Sequence, residues 1–218
     1  MLIQLPLSPW GRLLVVAAAV LLATAAQAAP EAQFQGAFAQ FSQAQTGDSA
    51  AIDKAADAFS ALLRAEPDNP VLMAYAGAAT SLKATTTRLP WKKMSYAEDG
   101  MAMIDKALAM LAPAHNAVVQ NGTPGALEVR FVAASTFLAV PGFMNRGARG
   151  AKLLGEVLNN PLLAQAPLGF QGAVWLRAAA LAQAEKRPED ARKYLNKVIN
   201  NKAPQADAAR AQLKALTS

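Results

Sequence analysis

The chain has 218 residues, with 21 Lys+Arg against 15 Asp+Glu for a net charge of +6, one histidine and no cysteine. The missing cysteines exclude disulfides, thiolate metal sites, cysteine nucleophiles and a lipid-modified N-terminal cysteine. A single histidine excludes histidine-clustered metal sites, and 53% hydrophobic residues exclude a disordered chain.

The first segment reads as a secretory signal over residues 1–28. Arg12 supplies the positive region, and an uncharged apolar run extends from Leu13 to Ala26. Ala26-Gln27-Ala28 then offers a small-x-small cleavage site before Ala29-Pro30. The rival reading is an uncleaved N-terminal anchor; cleavage is favoured because the apolar run is short for a membrane span, which needs about 20 residues, and the site matches. Residues 29–218 are therefore expected to form one exported, periplasmic domain, without stable membrane insertion after cleavage.

From there the chain reads as helical throughout. Ala, Leu, Gln, Lys, Glu and Met dominate, and β-branched runs at period two are missing. Phe34, Phe38 and Phe41 mark one face of a leading helix over about residues 30–45. Asn69-Pro70 and Thr123-Pro124 each offer a capping side chain followed by proline at the first helical position. Ser95 and Glu98 fit a capping box. Pro188 precedes Glu189-Asp190, acids suited to a helix start.

An internal repeat is visible. Ala55/Phe59/Leu62, Gly100/Ile104/Ala107, Gly150/Leu154/Val157 and Ala191/Leu195/Val198 share i, i+4, i+7 spacing, with a small residue first. Pro67, Pro113, Pro161 and Pro204 close these sets at separations of 46, 48 and 43 residues. Met73/Gly77/Thr80, Val129/Ala133/Thr136 and Trp175/Ala179/Ala182 mark the preceding helices. The pattern predicts helix pairs that stack because no pair buries its faces alone. A last helix, about Gln205 to Leu216, would cap the array with Ala208, Leu213 and Leu216.

On these residues the chain resembles the tetratricopeptide-repeat (TPR) superfamily over about 34–218. Trp175 and Ala191 stand 16 residues apart, the family's tryptophan-to-alanine spacing, and Leu195 and Val198 follow in register. The units exceed the family's 34 residues, and Met73 stands where tryptophan is usual. The resemblance implies an all-α fold: a short right-handed α-solenoid of about four helix pairs plus the cap. It also implies a groove that binds a protein or peptide.

Two segments between paired helices stand out as long loops. Arg88, Trp91, Lys92 and Lys93 belong to the first, and Phe143, Arg146 and Arg149 to the second. No acid lies between Asp68 and Glu98, or between Glu128 and Glu156. One reading is a basic, aromatic-studded edge, the two loops on the same side, that docks an acidic partner. The reading favoured for Trp91 and Phe143 is core packing, since large apolar side chains are mostly buried. Tyr75, Lys83, Arg130 and Arg177 are the expected exposed contacts along a groove lined by the first helices.

Catalytic chemistry finds little support. His115 lies in a turn with no partner acid or nucleophile at a recognisable spacing. Glu98-Asp99 and Glu189-Asp190 are adjacent pairs that point about 100° apart on a helix. Gly142, Gly147 and Gly150 lack the Lys-Ser/Thr and the strand of a phosphate loop. A nucleic-acid role is disfavoured by export and by the scarcity of aromatics beside basic clusters. No cofactor or metal is expected. The leading expectation is a non-enzymatic periplasmic adaptor or scaffold for a protein or peptide partner. The alternative is a helical enzyme or solute-binding protein acting on cell-envelope material through a single acid such as Glu98 or Glu128.

Overall fold

The computed structural model describes residues 31–216, so the signal reading of residues 1–28 lies outside the described residues. Among the described residues the fold is all-α: nine α-helices joined by short turns and 3₁₀ segments, with no strand. The helices are α1 (31–44), α2 (Ser49–Ala65), α3 (Pro70–Thr86), α4 (Pro90–Ala109), α5 (Gly125–Phe137), α6 (Gly147–Leu158), α7 (Leu168–Ala184), α8 (Pro188–Asn200) and α9 (Ala206–Ala215).

Charge distribution decides which helices are central. α3 carries one charged residue, Lys83, and α7 carries one, Arg177. A helix apolar on every side must be covered on every side, and α3 is buried from Pro70 to Ala79. α2, α6 and α8 instead alternate apolar and charged residues at helical spacing, and each buries one stripe. Neighbours in sequence pack together: α2 on α3, α3 on α4, α5 on α6, α7 on α8 and α8 on α9. α3 also contacts α5, and Phe131 of α5 meets Phe170 of α7 edge-on at 5.2 Å.

The repeated residues are the core of this packing. Ala55, Phe59, Ile104, Ala107, Leu154, Val157, Ala191, Leu195 and Val198 are all buried, and only Leu62 of the four sets is partly open. The leading small residue permits close approach. A Cβ on Gly100 would lie 2.4 Å from the Gly77 carbonyl oxygen and 2.7 Å from the Ser81 nitrogen, so α3 and α4 cross backbone against backbone. Gly150 sits in the same way against Phe137 and Leu138.

The N-terminal end is held by rings. Phe34, Phe38 and Phe41 of α1 contact Phe59 of α2 and Tyr75 of α3, with the Phe59 and Tyr75 rings stacked 4.8 Å apart. Burying such side chains stabilises by about 1.5–3 kcal/mol each, and favourable ring geometry adds roughly 0.5–1.5 kcal/mol per pair.

Several local expectations are corrected. α4 begins at Pro90, so Arg88–Met94 is mostly the start of a helix and not a long loop. Proline at the first position fits, and nothing between it and Ser95 breaks a helix. Ser95 is thus internal, and its hydroxyl donates to Asp99 one turn on at 3.0 Å. Thr123 does not cap α5; Pro124 occupies that position without a side-chain bond, and Thr123 is buried. The second loop holds a 3₁₀ turn, Gly142–Met144, before α6. In α9 the buried stripe starts at Ala209, not Ala208. Asn69 does cap α3, accepting from the Val71 and Leu72 N–H groups, and Pro188 does open α8.

Candidate functional site

The predicted site residues separate into three places. The first is a buried polar pair. Tyr75 is not an exposed groove residue: it is 4% exposed, because α1 lays three phenylalanines around it. Its hydroxyl donates to Oε1 of Glu128 at 2.5 Å, joining α3 to the first turn of α5. Glu128 is 2% exposed, and its Oε2 has no hydrogen-bond partner among the described residues. Burial pushes its carboxyl up to about 7, against the opposing pull of the Tyr75, Asn121 and Thr123 side chains, and the Glu31 charge adds to the rise. Burial and the neighbouring carboxylate hold the Tyr75 phenol well above its usual value. Asn121 beside Glu128 lies in a loop turn at φ 59, tied to α1 because Gln35 Nε2 donates to Asn121 Oδ1 at 2.6 Å.

The second place lies between α4, α5 and α6. Asp105 of α4 forms ion pairs with both Arg146 at 3.0 Å and Arg149 at 2.6 Å. The same guanidiniums lie over the Phe137 ring, 5.3 and 5.4 Å from its centre. These two arginines clamp the α6 start onto the preceding helices. Beside the clamp opens a cleft of ≈ 260 Å³. Leu108, Leu111 and Leu153 give it an apolar lining, and Arg130, Arg149, Lys152 and Glu156 give it a charged one. Arg130 reaches Glu156 at 3.5 Å and also donates to the Ala126 carbonyl. Around the cleft four cations (Arg130, Arg146, Arg149, Lys152) face two carboxylates (Asp105, Glu156).

The third place is the free end of α4. Arg88, Trp91, Lys92 and Lys93 are exposed, and Trp91 is 67% open. Phe143 is 68% open on the 3₁₀ turn before α6. Both aromatics were expected in the core, and neither is there. Trp91 lies in the first turn of α4 and Phe143 on the turn before α6, and both side chains are open to solvent. No ring contact joins Trp91 to Phe143 among the described residues. The α6 start docks at Asp105, roughly 22 Å along α4 from Pro90 at about 1.5 Å per residue. The two segments therefore do not form one continuous basic edge.

The remaining expected contacts are dispersed. Lys83 pairs with Asp53 of α2 at 3.3 Å and lies 5.3 Å over the Tyr96 ring. Arg177 is half-buried on α7, where burial lowers its affinity for the proton. α3 is too buried to line a groove, and the cleft draws mainly on α4 and α6. Sequence reading missed Asp105, Lys152 and Glu156. The acid-free interval before Glu156 was the available signal, since a cationic stretch needs its counter-charge from elsewhere.

His115 stays a turn residue, with Nδ1 accepting from the Ala112 N–H at 2.9 Å. It lines a second, larger cleft of ≈ 400 Å³ with Glu66, Asp68 and Asn69. Among the described residues no cluster of three His, Cys, Asp or Glu side chains is placed to hold a metal. No described helix is long and apolar enough to cross a membrane. The chain matches no family model, no curated protein and no solved structure.

Proposed function

We propose that this protein is an exported, TPR-like helical-repeat adaptor that holds an acidic segment of a partner protein in the cleft between α4, α5 and α6. The observation that carries the reading is the composition of that cleft. Leu108, Leu111 and Leu153 line it together with charged side chains among which cations outnumber carboxylates. A peptide with leucine-like anchors and flanking acids matches both features, the anchors supplying affinity and the charges supplying orientation and encounter rate. Asp105 and Phe137 pre-set Arg149 in this cleft, so little side-chain freedom is lost on binding.

The helix pairs supply the frame. Their repeated small residues let the paired helices approach closely, and their repeated apolar residues are the buried ones. That supports reading the packing as a short right-handed solenoid of four pairs closed by α9. The address rests on the leader, whose cleavage leaves a chain beginning at Ala29; N-terminal sequencing of the protein from the cell envelope tests it.

The enzymatic alternative rests on Glu128, whose carboxyl titrates near neutrality as a general acid must. It is less favoured, because Glu128 is 2% exposed and lines neither of the two clefts. Glu98 is exposed on α4 and likewise lines neither.

The test is partner capture from the native envelope by the tagged protein and by Arg149→Glu/Lys152→Glu. Loss of a stoichiometric partner with an unchanged melting temperature supports the cleft. Equal capture by both forms removes it from the proposal.

A further inference from the structure

The first two turns of α4 form an exposed projection. Residues 88–95 are all exposed, and the buried stripe of α4 starts only at Ala97. α3 and α4 are in backbone contact at Gly77 and Gly100, ten residues further down α4 than Pro90. Above that crossing Lys83 meets Tyr96, and beyond Tyr96 nothing covers α4.

The chemistry of the projection is mixed in a particular way. Trp91 and Met94 lie three residues apart, on one helical face, and are 67% and 40% exposed. Leu89, the residue before the helix, is 38% exposed. Three cations, Arg88, Lys92 and Lys93, flank these apolar side chains, and none is ion-paired among the described residues. The nearest carboxylates in sequence are Asp68 and Glu98. Leu89 cannot cap the helix with its side chain, so the first-turn N–H groups keep their positive end uncapped as well.

A protein partner would have to bring a concavity of its own to such anchors. Neither of the two clefts includes a residue from 88–95. A convex tip fits a deformable, laterally extended surface. Tryptophan is favoured at the boundary between headgroups and acyl chains. Lysine stems follow an apolar surface while their ammonium groups stay among the headgroups. Clustered cations gain further from anionic lipid.

From this arrangement we infer that the α4 tip is a docking point for an anionic phospholipid surface, with Trp91 and Met94 entering the headgroup boundary and Arg88, Lys92 and Lys93 contacting lipid phosphates. The contact is peripheral. It is independent of the proposed partner cleft, which lies toward the other end of α4 at Leu108 and Leu111.

Tryptophan fluorescence tests it. Trp175 is 8% exposed in the core and serves as the internal reference. The full chain carrying Trp10→Phe restricts the response to Trp91 and Trp175. It is titrated with phosphatidylglycerol-rich vesicles, with pure phosphatidylcholine vesicles, and with both made from brominated lipids. The expected result is a blue shift and bromine quenching of Trp91 on the anionic vesicles alone, weakened by added salt. Lys92→Gln/Lys93→Gln should weaken the partition about 25-fold, at about fivefold per cation. Its far-UV circular dichroism should be unchanged, since both side chains are exposed. An unquenched Trp91 on vesicles that sediment with the protein would overturn the inference, because the leader and not the tip would then hold the lipid. A Trp91 shift seen with an acidic peptide and not with vesicles would overturn it too.

Discussion

Replacing Glu128 with glutamine should make the protein's stability less sensitive to pH. The glutamine carbonyl still accepts from Tyr75, and the side chain mimics the protonated acid. In the wild type, burial raises the Glu128 pKa from 4.5 to about 7. Between those values the folded protein keeps a proton that the unfolded chain releases. A raised acid pKa therefore contributes stability that is fully present below about pH 4.5 and is lost as pH rises through about 7. At about 1.36 kcal/mol per unit, the difference amounts to about 3 kcal/mol. The groups facing Glu128 do not alter the sign: Tyr75 stays neutral across this range, and Glu31 opposes the charged form. Urea unfolding of both proteins at about pH 5 and about pH 8.5 isolates the effect, because other titrating groups cancel in the difference. The Gln variant should gain about 2 to 3 kcal/mol relative to wild type over that interval, or roughly 5–10 °C in melting temperature for a chain of this size. A wild-type-to-variant gap that does not move with pH would refute the reasoning. Tyr75→Phe removes a donor that favours the carboxylate, so it should move the wild-type transition to higher pH.

Two paired substitutions test the packing and the helix starts. Gly100→Ala places a methyl group 2.4 Å from a backbone oxygen and should cost about 3 kcal/mol or more in urea unfolding, whereas Gly155→Ala in α6 meets nothing within 4 Å and should be neutral or add up to about 1 kcal/mol. Asn69→Ala removes the acceptor for two α3 N–H groups and should lose about 1 kcal/mol, while Ser95→Ala should stay within about 0.5 kcal/mol because Ser95 is inside α4. Equal losses at Asn69 and Ser95, read by thermal unfolding, would contradict the assigned start of α4.

The helices were legible because their apolar periodicity is strong and their punctuation is proline. Every marked triplet lies on a helix, and Gly77 and Gly100 were readable as small residues before their contact was known. The start of α4 was not readable. Ser95-x-x-Glu98 satisfies the pattern of a capping box, but Pro90 had already opened the helix. A local motif cannot report that a helix began one turn earlier. Trp91 and Phe143 were placed by the general preference of large apolar residues for the interior, which does not decide a position in a first helical turn or on a connecting turn. Tyr75 failed in the other direction. Its environment is set by Phe34, Phe38 and Phe41 from one side and Glu128 from the other, and the 53-residue separation from Glu128 leaves no local trace. Asp105 was overlooked for the same reason: its two arginines lie more than forty residues on, and only the packing of α6 against α4 brings them together.

The proposed adaptor role depends most on whether the cleft between α4, α5 and α6 is occupied in the cell. A photo-crosslinking residue placed at Lys152 on the cleft, and in parallel at the exposed Lys193 on α8, measures this directly in the native envelope. The account predicts one discrete cross-linked protein from position 152 that is missing at position 193 and disappears with Arg149→Glu. The same pattern from both positions, or none from 152 while the protein is folded and exported, would contradict it.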